Sequence, residues 1–105
     1  MIIATSECIA GETIIETLGV VKGYVVQSKH LGSDFMAGLK TMVGGEIKGY
    51  TNMLEKARKI ATDRMVEEAE KLGADAIICV RYGSSSVMAG ASEMLAYGTA
   101  VRLKK

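Results

Sequence analysis

The hydrophobic and polar positions of the chain fall into segments of strand period and segments of helix period. Met1 to Thr5 is a short apolar run that closes on Thr5, Ser6 and Glu7, which predicts an edge strand. Thr13 to Ser28, TIIETLGVVKGYVVQS, is rich in β-branched residues and predicts one long strand, bent where Gly19 and Gly23 interrupt it; residues 12–18 are alternatively a helical turn. Leu31, Gly32, Ser33 and Asp34 then predict a helix start, with Ser33 as N-cap and the Asp34 carboxylate in the first turn against the helix dipole. Phe35, Met36, Leu39, Met42 and Val43 follow at helical spacing, giving one apolar face. Gly44 and Gly45 interrupt it, each costing about 1 kcal/mol of helix propensity relative to alanine, so the helix kinks there or stops and restarts.

Past Gly49 the helical pattern is continuous. Tyr50, Met53, Leu54, Ala57, Ile60, Ala61, Met65, Ala69 and Leu72 form a stripe, with Glu55–Lys59 and Glu67–Lys71 as i,i+4 pairs on the opposite side. Gly73 follows as a C-cap glycine. Ala74 to Tyr82, ADAIICVRY, predicts a short strand, and Gly83 to Ser92, rich in Ser, Gly and Ala, predicts a mobile loop. From Met94 to Leu103 the residues alternate: Leu95, Tyr97, Thr99, Val101 and Leu103 on one face, the small Ala96, Gly98 and Ala100 with Arg102 on the other. Strands on both sides of one helical run argue an α+β fold. The long helical run, kinked or broken at Gly44 and Gly45, then covers one face of a mostly antiparallel sheet with the short N-terminal strand at its edge. One face of that sheet then lacks a cover within the chain.

Composition says where such a face should go. The 105 residues make one domain, and 49% of them are hydrophobic although the chain has no Pro, no Trp and one Phe, which excludes intrinsic disorder. A chain this short leaves roughly a third of its unfolded surface exposed after folding. The apolar surplus is therefore expected in an interface, most simply with a copy of itself. A net charge of +1 gives no field toward nucleic acid or an anionic membrane. The four tyrosines are scattered without a basic stripe, and the tail Arg102, Lys104 and Lys105 reads as a solvated terminus. Glu7 and Glu12 interrupt the first apolar run and no long uncharged apolar stretch follows, so the expectation is a cytoplasmic protein without nucleic-acid or membrane partners.

The candidate metal ligands are Cys8, His30 and Cys79. His30 and Asp34 are four apart, but no third ligand accompanies them. Cys8 falls in a loop and is the more exposed thiol, whereas Cys79 reads as a small hydrophobe in mid-strand. A pair between Cys8 and Cys79, within one subunit or between two, stays open. Met36, Met42, Met53 and Met65 fall on core spacing. Ser84, Ser85 and Ser86 lie far in sequence from the single histidine, so no nucleophile and base are paired and the chain is not expected to be an enzyme. Gly44, Gly45 and Gly49 lack a Walker lysine, and the Gly45–Gly49 spacing fits close backbone approach inside an oligomer. Glu67 and Glu68 belong to a solvated helix face.

Several blocks together carry a resemblance. Leu18 to Val21 with Gly23, Val43-Gly44-Gly45 before Tyr50, Ala57-Arg58, Leu72 to Ala76, and Gly98 to Val101 resemble the YbjQ-like family of small bacterial and archaeal proteins over nearly the whole chain. The resemblance implies a dodecin-like fold, a helix on a three-stranded antiparallel sheet, with extra short strands joining subunits into a ring, usually a pentamer. It also implies a heavy-metal ion as possible cofactor, because the family carries a heavy-metal-binding label. That label maps to no Cys or His of this chain. The charged positions it carries over are Arg58 and Asp75, read as an ion pair that fixes the helix-to-strand turn.

Overall fold

The computed structural model describes residues 1–28, 42–43 and 46–105. Its elements in chain order are β1 (Ile2–Ile3), β2 (Ile14–Ser28), β3 (Met42–Val43), β4 (Glu46–Ile47), α1 (Lys48–Lys71), β5 (Ala76–Met88) and β6 (Ala91–Leu103). The fold is α+β. Helix α1 lies on a four-stranded mixed sheet of order β1-β5-β6-β2, in which β1 runs parallel to β5 and the other pairs are antiparallel. The expected three antiparallel strands are β5, β6 and β2, and the N-terminal strand widens them to four.

Two sequence expectations are corrected. Gly83 to Ser92 is not a loop: β5 continues through it, with Ser84 opposite Met94, Ser85 opposite Glu93 and Ser86 opposite Ser92, and the chain turns only at Ala89 and Gly90. Gly90 takes a φ of 77°, which glycine adopts without a Cβ penalty. Pairing with β6 holds these residues extended whatever their weak strand propensity. Met42 and Val43, expected on a helical face, are extended and pair with Ile47 and Glu46. Helical spacing over so few residues is outweighed by the poor helix propensity of the adjacent glycines and by the β-branched Val43 and Ile47. The expected helix over 33–41, with Ser33, Asp34, Phe35, Met36 and Leu39, and the glycines Gly44 and Gly45, lie outside the described residues.

The remaining elements follow their sequence. Strand β2 is one long strand, irregular in register between Ile14 and Glu16 and again between Thr17 and Gly19, where Gly19 has a φ of 130°. In α1 the buried residues Ala57, Ala61, Met65 and Ala69 recur every four positions, so one narrow stripe meets the sheet. Leu72, the last residue of the predicted stripe, is exposed instead, because the helix has already closed. The Gly73 N–H donates to the Glu70 carbonyl and the Ala74 N–H to the Ala69 carbonyl, with Gly73 at a φ of 75°. This is the paired-bond helix ending that a left-handed glycine permits.

The inner face of the sheet packs closely because its residues are small. A Cβ on Gly23 would stand 2.2 Å from the Ala61 carbonyl oxygen and 2.4 Å from the Met65 amide nitrogen, so the backbones of β2 and α1 meet there with no side chain between them. Ala96 and Ala100 of β6 join Val21, Met65, Ile77, Val80 and Met94 in the same core. The small strand face read from the sequence is thus filled by the chain's own helix.

On the outer face, Ile9 and Ile14 pack against a second cluster of Ala76, Val101 and Leu103, so the segment after β1 covers one end of a face expected to be bare. Beyond that end the strands stay open to solvent: Val20 is 72% exposed, Tyr24 55% and Val26 54%, with Tyr97 exposed beside them. The molecule is long, 52 × 25 × 16 Å, with a radius of gyration of 17.0 Å. A compact domain of this length has about 13 Å.

Candidate functional site

Most charged side chains of the described residues are committed to structure. Strand β2 is an edge of the sheet, and α1 reaches around it. The Glu68 carboxylate accepts the Lys22 N–H at 3.3 Å, and the Arg64 guanidinium donates to the Tyr24 carbonyl at 2.7 Å. These contacts satisfy backbone groups that would otherwise be available to a foreign strand. The open groove between β2 and α1, about 360 Å³ and lined by Lys22, Tyr24, Arg64, Glu67, Glu68 and Lys71, is therefore part of the edge protection. Its two carboxylates are engaged, Glu68 as above and Glu67 with Lys71 at 3.7 Å.

The expected Arg58–Asp75 ion pair does not form. Arg58 pairs with Glu55 one helical turn before it, and Asp75 lies at the other end of the helix. There the Asp75 carboxylate accepts the Leu103 N–H at 2.9 Å and pairs with Lys105 at 3.4 Å. The Leu103 hydrogen bond holds the Asp75 carboxyl below the ordinary carboxylate range; desolvation opposes it, and the hydrogen bond and charge of Lys105 and the charge of Arg102 add to the lowering. Asp75 thus ties the helix-to-strand turn to the end of β6. Lys59 likewise pairs with Asp63 and not with Glu55, while the predicted Glu67–Lys71 pair is present. In the basic tail, Arg102 pairs with Glu16 and Lys105 with Asp75, as exposed pairs that contribute little each. Ser84, Ser85 and Ser86 line up along β5, and His30 lies outside the described residues.

The two cysteines are free, Cys8 exposed and Cys79 half-buried. Cys79 is not an ordinary mid-strand residue. Ile78 pairs with Thr99 and Arg81 with Tyr97, so Cys79 and Val80 together oppose the single residue Gly98 in a β-bulge. Cys79 occupies the left-handed region at a φ of 54°, a conformation costing a non-glycine residue roughly 1–2 kcal/mol. The bulge is held by the segment after β1. The Ser6 carbonyl accepts the Cys79 N–H at 3.0 Å, the Ala4 carbonyl accepts the Val80 N–H at 3.0 Å, and Arg81 donates to the Thr5 carbonyl at 2.9 Å. Across from it, a Cβ on Gly98 would come within 2.7 Å of Ile77 Cγ2 and 2.9 Å of the Ile78 carbonyl oxygen, so only glycine leaves the bulged strand its room. Sequence reading places Gly98 on a small face but has no signal for a bulge opposite it, because the bulge depends on register.

Among the described residues no three His, Cys, Asp or Glu side chains converge as a metal site would require, and no helix is long and apolar enough to cross a membrane. Residues 1–104 match a family model, YbjQ, described as "Putative heavy-metal-binding". A UPF0145 protein of Thermotoga maritima is 63% identical over 105 residues, covering 100% of this chain and 99% of its own. One of Thermosipho africanus is 62% identical, covering 100% and 97%. One of Methanosarcina acetivorans is 58% identical over 103 residues, covering 98% and 97%. A crystal structure from Pediococcus pentosaceus, assigned to the DUF74 family, superposes with a TM-score of 0.70 over 99% of this chain and 98% of its own at 22% identity, a likeness of fold alone. With its full length matched by both the family model and close relatives, the chain belongs to the YbjQ family, also called UPF0145.

Proposed function

We propose that this chain is one subunit of a homo-oligomeric ring, a pentamer as the family resemblance implies, that binds a soft metal ion or small ligand and does not catalyse a reaction. The observation that carries the reading is the open outer sheet face. Val20, Tyr24, Val26 and Tyr97 stand in solvent around Lys22 on paired strands, and large apolar side chains grouped on one exposed sheet face mark an interaction surface. The elongated shape, 52 × 25 × 16 Å, supports it, since it exposes more surface than a compact domain of this length does. The metal part rests on the family description; among the described residues no three-ligand cluster is present. That same absence favours a second reading, a ring that serves as a scaffold with no ligand of its own.

Light scattering separates assembly from its absence. The reading expects a mass several times the 11.2 kDa of one chain at micromolar concentration, and a stable monomer overturns it. Equilibrium dialysis of the assembled protein against Zn(II), Cd(II), Ni(II) and Cu(I) then decides between the two readings. Stoichiometric retention of one of these ions supports the binding module, and retention of none leaves the scaffold.

A further inference from the structure

We infer that Cys8 and Cys79 together form a two-thiolate site for a soft, two-coordinate cation such as Ag(I) or Hg(II). The inference deepens the binding reading above and rests on it. The two cysteines are 71 positions apart, the difference of 79 and 8, yet the fold fastens both to one place. The Ser6 carbonyl is hydrogen-bonded to the Cys79 amide at 3.0 Å. Cys8 lies two residues on, so its Cα is at most about 7.2 Å from that of Ser6. The Ser6 hydroxyl donates to the Cys8 carbonyl at 2.7 Å, folding residue 8 back toward Ser6. Ile9, the next residue, is anchored in the outer cluster to which Ile78, the neighbour of Cys79, also belongs. Cys8 is thus held between one contact at position 79 and another in the cluster containing position 78.

The chemistry follows from that juxtaposition. Thiolates are soft donors, and a filled-shell soft cation is satisfied by two of them where zinc requires four ligands or three and water. With metal–sulfur bonds of about 2.3 Å, an ion bridges sulfurs roughly 2.5 Å further apart than a disulfide does, so its tolerance of Cα separation is correspondingly wider. On binding, each thiol releases its proton to solvent and both sulfurs bond the ion, with no change of oxidation state. The exposure of Cys8 supplies the entry side, and half-buried Cys79, on a bulge pinned by three contacts from residues 4–6, supplies a fixed second ligand.

The test uses the full chain, reduced and kept anaerobic. Ag(I) and Hg(II) are titrated against it in the presence of a small monothiol competitor, with ultraviolet thiolate-to-metal absorbance and metal content after desalting as readouts. One ion per chain should survive the competitor, because two linked thiolates have an effective concentration the free thiol lacks. Cys8→Ala and Cys79→Ala should each weaken retention by about tenfold or more, and His30→Ala should leave it unchanged. Cys79→Gly, which suits the left-handed conformation, repeats the measurement in a variant whose bulge is relieved of strain. If the wild type retains no ion against the competitor, this site is refuted, and dialysis without competitor decides the broader binding reading separately. If the wild type binds but either single cysteine variant binds equally well, or two ions bind independently, only the two-thiolate site is overturned.

Discussion

The two faces of one sheet show how similar strand patterns meet opposite fates. On the inner face Val21, Ala96 and Ala100 are fully buried, and Gly23 lies against the backbone of α1. On the outer face, one residue along in each strand, Val20, Tyr24, Val26 and Tyr97 remain in solvent. Where the helix comes closest the buried face carries Gly23, Ala96 and Ala100, whereas the open stretch of the other face carries Val20, Tyr24, Val26 and Tyr97. Small residues admit a helix whose own contact stripe is mostly alanine, giving close packing from little volume. Val20, Tyr24, Val26 and Tyr97 lie beyond the end of the outer face that Ile9 and Ile14 cover, so a partner surface is where their burial could be gained.

The contrast can be broken most severely at Gly23. Gly23→Ala puts a Cβ into backbone atoms of α1 that cannot rotate away, and should destabilise the chain by about 3 kcal/mol, read as a fall in the urea midpoint. An unchanged midpoint would mean the helix does not sit where described. The outer face should respond in the other way. Tyr24→Ser with Val26→Ser removes exposed apolar groups, so subunit stability should move by less than about 0.5 kcal/mol while the assembled mass falls in light scattering. If the mass is retained, the outer face is not the contact.

The smallest effect is expected at Asp75, where the turn after α1 joins the last strand. Its carboxyl pKa is lowered in the folded state, so its stabilisation is present above the unfolded carboxylate pKa and is lost as pH falls through the folded value. Asp75→Asn should therefore lower thermal stability at neutral pH and flatten its decline on the acid side. An acid limb as steep as that of the wild type would assign the decline to other carboxylates.

Where one side-chain pattern decides the outcome, the chain can be read directly. The long strand Ile14–Ser28, the helix after Gly49 and its Gly73 ending were legible because periodicity and a left-handed glycine act over a few neighbouring residues. The ribbon from Gly83 to Met88 was not, because Ser84–Ser86 are extended by pairing with β6 and carry no strand preference of their own. Asp75 was recognisable as a turn residue, but its partner Lys105 lies 30 positions away, and no local rule selects it over Arg58. Of the candidate ligands, exposed Cys8 was read correctly, while the bulge that gives Cys79 its conformation depends on a register set by a distant strand.

By itself the sequence determined the α+β class, the alternation that makes one small and one large face on the last strand, and an apolar content greater than one small core can hide. Tertiary structure alone decided which face the helix takes, that the segment after β1 crosses to the outer side, and that Cys8 and Cys79 belong to one neighbourhood. The physical reason is range. Period and propensity act between residues a few positions apart, whereas register, close backbone approach and the hydrogen bond from the Cys79 amide to the Ser6 carbonyl need atoms brought together from distant parts of the chain.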